Sequence, residues 1–150
     1  MTTLKQDLKV LRKVPLFGGL DRAKLELMAF TSESLQFEDG EVLFGAGAES
    51  DSVYVILDGT ADVLVNTPSG PVLTDRVSPN ELVGEMDVLR DAHYSTTARA
   101  RGELTALRIS RDHFLQFLSE TPKEALEVMR QLSNKLARYH DNVAAGSSSP

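Results

Sequence analysis

The residues best equipped for chemistry lie in one stretch, "VGEMDVLRDAHYSTTARA", residues 83–100. Gly84 lets backbone come close to a ligand, and the turn "GEMDVL", beginning Gly84, Glu85, Met86, presents free N–H groups at a helix start. Such a start is a ready seat for an anion. Ser95, Thr96 and Thr97 add hydroxyls, and Tyr94 before them is a neutral phenol. Arg90, four residues earlier, is the one cation placed to swing in, but Asp87 and Asp91 repel a phosphate or pair with Arg90 themselves. Arg99 and Arg101 alternate with Ala98 and Ala100 and so point to solvent on a strand. Taken without its flanks, Gly84-Glu85 reads as a plain strand-to-helix turn.

Other chemistries find no residues to carry them. The chain has no Cys, which removes disulfides, thiolate metal sites and Cys nucleophiles. Its three histidines, His93, His113 and His140, fall in a loop and two helices with no His-x-His pair, so a metal site is not expected. Neither a Ser nucleophile elbow nor a Gly-rich phosphate loop of the nucleotide-hydrolase type is present. No enzyme is expected.

The elements that must position the loop follow from periodicity. Leu4, Leu8 and Leu11 recur at helical spacing until Pro15, Gly18 and Gly19 end the run. In "LDRAKLELMAF", Asp21 is an N-cap, Leu20 and Leu25 form a staple, and Leu25, Met28 and Ala29 share one face. From Leu35 to Arg108 the period changes to two, in the runs "LQFEDGEVLF", "DSVYVILDGTADVLVN", "GPVLTDRV", "STTARAR" and "ELTALRIS". "EDGE" and "LDGT" carry Asp-Gly hairpin signals, and "NTPSGP" reads as a longer turn. The predicted fold class is therefore α+β: a small antiparallel β-barrel or jelly roll over 35–108, flanked by N-terminal helices over 4–30 and by helices over 111–143.

Ser110 caps "RDHFLQFLSE", and "TPKE" joins an N-cap Thr121 to Pro122 and Glu124 as a capping box. The long helix it starts repeats Ala125, Met129, Leu132, Leu136, Tyr139 and Val143 in steps of four and three. That stripe either packs against the barrel or pairs two copies across a dimer axis. Residues 1–143 read as one domain and "AAGSSSP", 144–150, as a flexible tail. With 16 Lys and Arg against 22 Asp and Glu the net charge is -6, so nucleic-acid binding by this chain alone is not expected. Apolar runs are too short to span a bilayer, and "MTTLKQDLKVLRKV" lacks the features of a signal peptide, so a cytoplasmic setting is expected.

"FEDGEVLFGAGAESDSVYVILDGTADV" resembles the first half of cyclic nucleotide-binding domains, with Gly40, Gly47, Asp51, Tyr54 and Gly59 at that family's turn and core positions. "NELVGEMDVL" resembles the start of its phosphate-binding cassette, and the likeness covers residues 14–140. The stretch looks like the ligand module shared by catabolite-activator-type regulators, regulatory subunits of cyclic-AMP-dependent kinase and cyclic-nucleotide-gated channels. The resemblance implies a regulatory sensor with cyclic AMP or cyclic GMP as its ligand and no other cofactor. Gly84, Glu85, Met86, Tyr94, Ser95 and Thr96 would face that ligand: Glu85 would accept the ribose 2'-hydroxyl, and Ser95 would give its N–H or hydroxyl to the phosphate. The chain departs from the family at Tyr94, which aligns with an Arg that forks onto the cyclic phosphate. Loss of such a charge-assisted pair costs about 2–5 kcal/mol, roughly 30-fold to several thousand-fold in affinity. The alternative expectation is the same fold without nucleotide, serving dimerisation or protein contact through the stripe.

Overall fold

The computed structural model describes residues 3–120, 130–132 and 134–135. Helix α1, Leu4–Lys13, opens on a capping box: the Thr3 hydroxyl accepts from the Gln6 amide and the Gln6 side chain accepts from the Thr3 amide. A 3-10 turn over Pro15–Phe17 follows, and then α2, Arg22–Thr31, whose N-cap Asp21 accepts from the Lys24 amide at 2.9 Å. Leu25, Met28 and Ala29 are its buried face, and Leu20 packs in the same cluster as Leu25, as the spacing predicts.

Six antiparallel strands make one sheet: β1 (Glu33–Phe37), β2 (Val42–Phe44), β3 (Ser52–Thr67), β4 (Gly70–Val77), β5 (Leu82–Val83) and β6 (Thr97–Ser110). The order is β1-β6-β3-β4, with β2 also on β6 and β5 also on β3. This is the predicted α+β jelly-roll-like architecture, except that the sheet does not close into a barrel.

The turn signals fare less well. "STTARAR" and "ELTALRIS" are one strand, β6. "LDGT" is no hairpin: Asp58 and Gly59 lie inside β3, where its register against β6 shifts. Gly59 has φ +89, and a Cβ there would stand 2.4 Å from the Glu103 carbonyl oxygen. A bulge and a hairpin demand the same left-handed backbone, so the dipeptide alone cannot distinguish them. "EDGE" does turn, but β1 and β2 on either side of it both pair with β6 and not with each other. "NTPSGP" is tighter than expected, with Thr67 opposite Gly70 and the Thr67 hydroxyl donating to the Gly70 carbonyl at 2.6 Å.

β3 and β6 divide the interior. Val53 and Val55 face the helices with Leu107 and Ile109, while Tyr54 and Ile56 face the hollow of the sheet with Leu104 and Ala106. That two-residue alternation is the strand period at work. Helix α4, Arg111–Ser119, is capped by Ser110 and sends Phe114 and Phe117 into the helical cluster, where Phe114 meets Phe17 edge-on.

Residues 130–132 and 134–135 are helical. The predicted capping box at 121–124, the tail, and Ala125, Met129, Leu136, Tyr139 and Val143 of the stripe lie outside the described residues. Leu132 is described and is half-buried. Among the described residues no helix is long and apolar enough to cross a membrane.

Candidate functional site

β5 is two residues long, paired to Tyr54 and Val55 of β3, and it delivers the chain to Gly84. Gly84 has φ +92, and a Cβ there would meet the Phe44 ring at 3.2 Å and the Tyr94 ring at 3.3 Å. Only glycine suits both the backbone and the space. The short helix α3, Glu85–Leu89, follows, with Val88 buried among the helical cluster to hold it down.

Glu85 is 6% exposed and is engaged from across the molecule. Lys135 Nζ donates to its two carboxylate oxygens at 2.7 and 2.6 Å and to the Leu82 carbonyl at 2.7 Å. A buried ion pair with every donor placed is the form in which two desolvated charges offset their own cost. The pair borders a cavity of about 170 Å³ whose wall also includes Leu16, Leu89, Leu132 and Asn134.

Asp87, 5% exposed, gathers the donors of the loop onto its own carboxylate. One oxygen accepts from Arg90 Nη2 at 2.8 Å and from the Ser95 hydroxyl at 3.0 Å, and the other accepts from the Ser95 amide at 3.1 Å. Arg90 is thus bound to Asp87, one of the two outcomes the sequence leaves open for it. Asp91 turns the other way and pairs with Arg111, which ties the far end of the loop to the start of α4.

Tyr94 points inward. It is 3% exposed, its ring is stacked on Phe44 with centroids 3.9 Å apart and planes 16° apart, and its hydroxyl donates to the Ser52 carbonyl at 2.5 Å while accepting from the Ser52 amide at 3.2 Å. Its backbone is fixed as well, pairing with Gly47 and Ala48. Burial raises the phenol's pKa well above its ordinary value, outweighing the opposing pull of the Ser52 hydrogen bond, so the group is a neutral donor. Thr96 is buried, Met86 is half-buried, Ser95 is exposed, and the Thr97 hydroxyl accepts from the Ala46 amide. Asn80, before the loop, adopts left-handed backbone with φ 72.

The candidate residues therefore separate into two places. Gly84 and Tyr94 meet at the rim of the sheet interior, whereas Glu85 faces the cavity and Lys135. Sequence reasoning missed Lys135, Phe44 and Ser52. Phe44 lies in an alternating strand run and could have been placed in the interior. Nothing in the pattern of the last helix marks Lys135 as buried, and Ser52 acts through its backbone, which no residue type announces.

Residues 34–121 match the family model described as the cyclic nucleotide-binding domain. A solved structure described as a cyclic nucleotide-binding-like protein from Brucella abortus is 33% identical, with a TM-score of 0.65 over 75% of this chain and 97% of that one. The sensor domain of the transcriptional regulator DNR from Pseudomonas aeruginosa is similar in fold at 22% identity, with a TM-score of 0.81 over 94% of this chain and 95% of that one. Among curated proteins, the CRP-like cAMP-activated global transcriptional regulator of Mycobacterium tuberculosis is 21% identical over 137 residues. That match takes in 91% of this chain and 61% of the relative, so the chain spans about three fifths of that protein's length.

Proposed function

The chain belongs to the cyclic nucleotide-binding domain family, and from that premise we propose that it is a non-catalytic, regulatory ligand-sensing module. Its ligand is a cyclic nucleotide, cyclic AMP or cyclic GMP, or a related molecule, held weakly at the loop over residues 84–97, where Gly84, Glu85, Met86, Ser95 and Thr96 are the candidate contacts and Tyr94 stands in place of a cation. The reading uses no metal or other cofactor and no nucleic acid on this chain alone, and it belongs in the cytoplasm.

The observation that carries the weakness is Tyr94. A neutral phenol committed to the Ser52 backbone gives a cyclic phosphate no bidentate cation. The regulatory part rests on Glu85: a ligand hydroxyl on this carboxylate shares it with Lys135, and so acts on the helical segment that carries it. The Mycobacterium tuberculosis relative is described as cAMP-activated, which supports a ligand of this chemistry.

Calorimetric titration of the wild type and of Tyr94→Arg with cyclic AMP, cyclic GMP, adenosine and guanosine tests the reading. Wild-type binding in the high-micromolar to millimolar range is expected for at least one of them. Silence from all four would sink the sensor, and low-micromolar cyclic AMP binding would refute the role given to Tyr94.

A second reading, a fold that has given up nucleotide for dimerisation or protein contact through Ala125, Met129, Leu132, Leu136, Tyr139 and Val143, is favoured by the internal bonding of Tyr94 and Asp87. Light scattering on the wild type and on Leu132→Glu decides it. A dimer that the substitution dissociates supports its dimer form, and a monomer in both cases removes the dimer.

A further inference from the structure

The ligand-sensing reading leaves one feature of the loop unused: Asp87, whose buried carboxylate holds the groups that would otherwise hold an anion. We propose that Asp87 is the loop's own anion, occupying the seat of a ligand phosphate, and that it restricts the site to an uncharged ribonucleoside. This inference rests on the ligand-sensing reading and names the class of its ligand.

Three donors converge on the one carboxylate: the Ser95 amide, the Ser95 hydroxyl and the Arg90 guanidinium. This is the donor set a phosphate needs, an amide, a hydroxyl and a guanidinium, already saturated by a group four bonds from its own backbone nitrogen. An arriving phosphate must take those donors from Asp87. It then leaves a 5% exposed carboxylate without partners beside a second negative charge, which is the costly case for a buried ion. The surroundings offer no relief, since residues 84–97 hold three carboxylates, Glu85, Asp87 and Asp91, against the single arginine Arg90. The neighbouring cations are committed elsewhere: Lys135 to Glu85, Arg111 to Asp91, and Arg108 to the Ser52 hydroxyl.

A neutral diol meets none of these objections. A carboxylate offers about four acceptor positions, and each oxygen of Glu85 accepts one bond from Lys135. A sugar hydroxyl can add to the remaining positions without displacing a charge. Beside Glu85 the cavity of about 170 Å³ presents Leu16, Leu89 and Leu132 as an apolar wall and Asn134 as an amide, suited to one face and one edge of a flat base.

The test is calorimetry with adenosine and with cyclic AMP on the wild type, Asp87→Ala and Asp87→Asn, each checked for native circular dichroism. The wild type is expected to bind adenosine at least tenfold more tightly than cyclic AMP. Asp87→Ala should shift that ratio at least tenfold towards cyclic AMP. Asp87→Asn, which keeps an acceptor for the Ser95 amide and drops the charge, should move it in the same direction and serves if the alanine variant does not fold. A wild type that prefers cyclic AMP overturns the inference and leaves the sensor reading standing, as does an unchanged ratio in folded variants. A wild type that binds neither compound removes the sensor reading and this inference together.

Discussion

The two faces of β3 and β6 are packed by different means. On the helical face, Phe17, Phe114, Leu25, Met28, Val53 and Ile109 meet with no polar atom among their side chains, and shape and area hold them together. On the face lining the hollow of the sheet, Tyr54 and Tyr94 bring hydroxyls inside, the first donating to the Leu43 carbonyl and the second to that of Ser52. The apolar face is fixed by volume, whereas the other adds hydrogen bonds to its apolar packing, one from β3 to β2 and one from the Tyr94 loop to β3. The loop is therefore built into the core, and the ligand contacts proposed for residues 84–97 are constrained by folding.

Substitutions can break or sharpen that contrast. The largest loss is expected from Phe114→Ala, which deletes a ring that is 0% exposed and should cost about 3–5 kcal/mol in a denaturant melt with the slope unchanged. Lys135→Met comes next. It strands the Glu85 carboxylate and should cost about 3 kcal/mol, with faster hydrogen exchange at residues 130–135 as its separate signature. If the cost is near zero, the pair does not hold the helix to the loop.

Tyr94→Phe keeps the ring on Phe44 and removes only the hydroxyl, so it should cost about 1–3 kcal/mol. It also has a pH signature. An unfolded tyrosine ionises near 10.0, while burial raises the folded value of Tyr94 above that. The unfolded state therefore loses its proton first. Stability from this group is complete below pH 10 and is lost as pH rises towards the folded value. The alkaline limb of a stability profile should be shallower in Tyr94→Phe than in the wild type, and Tyr54, which burial also raises, contributes to what remains. The smallest effect, about 1 kcal/mol, is expected for Ser110→Ala, whose hydroxyl caps α4.

The helical face was largely legible in the sequence, because a cap and a 3.6-residue period are local signals. Asp21, Ser110 and the Leu25, Met28, Ala29 face all stand where the spacing puts them. The other face was legible only in its strands. Tyr94 is a single residue in a loop, and one residue has no period from which to tell inward from outward. The sequence marks Asp87 as a neighbour that repels phosphate or pairs with Arg90, and the structure shows the pairing. Its grip on Ser95 is a contact eight residues away, closed by the loop's return, and spacing does not reveal it. The Asp-Gly pairs failed as hairpin marks for a related reason: what they specify is a backbone angle, and tertiary pairing decides whether that angle makes a turn or a bulge.

A crystal structure of the wild-type chain grown with saturating cyclic AMP tests the internal satisfaction of the loop most directly. The expected result is Tyr94 still bonded to the Ser52 backbone and the Asp87 carboxylate still on the Ser95 amide, with no phosphate density between them. A phosphate seated on the Ser95 amide, with Asp87 swung away, would contradict the account.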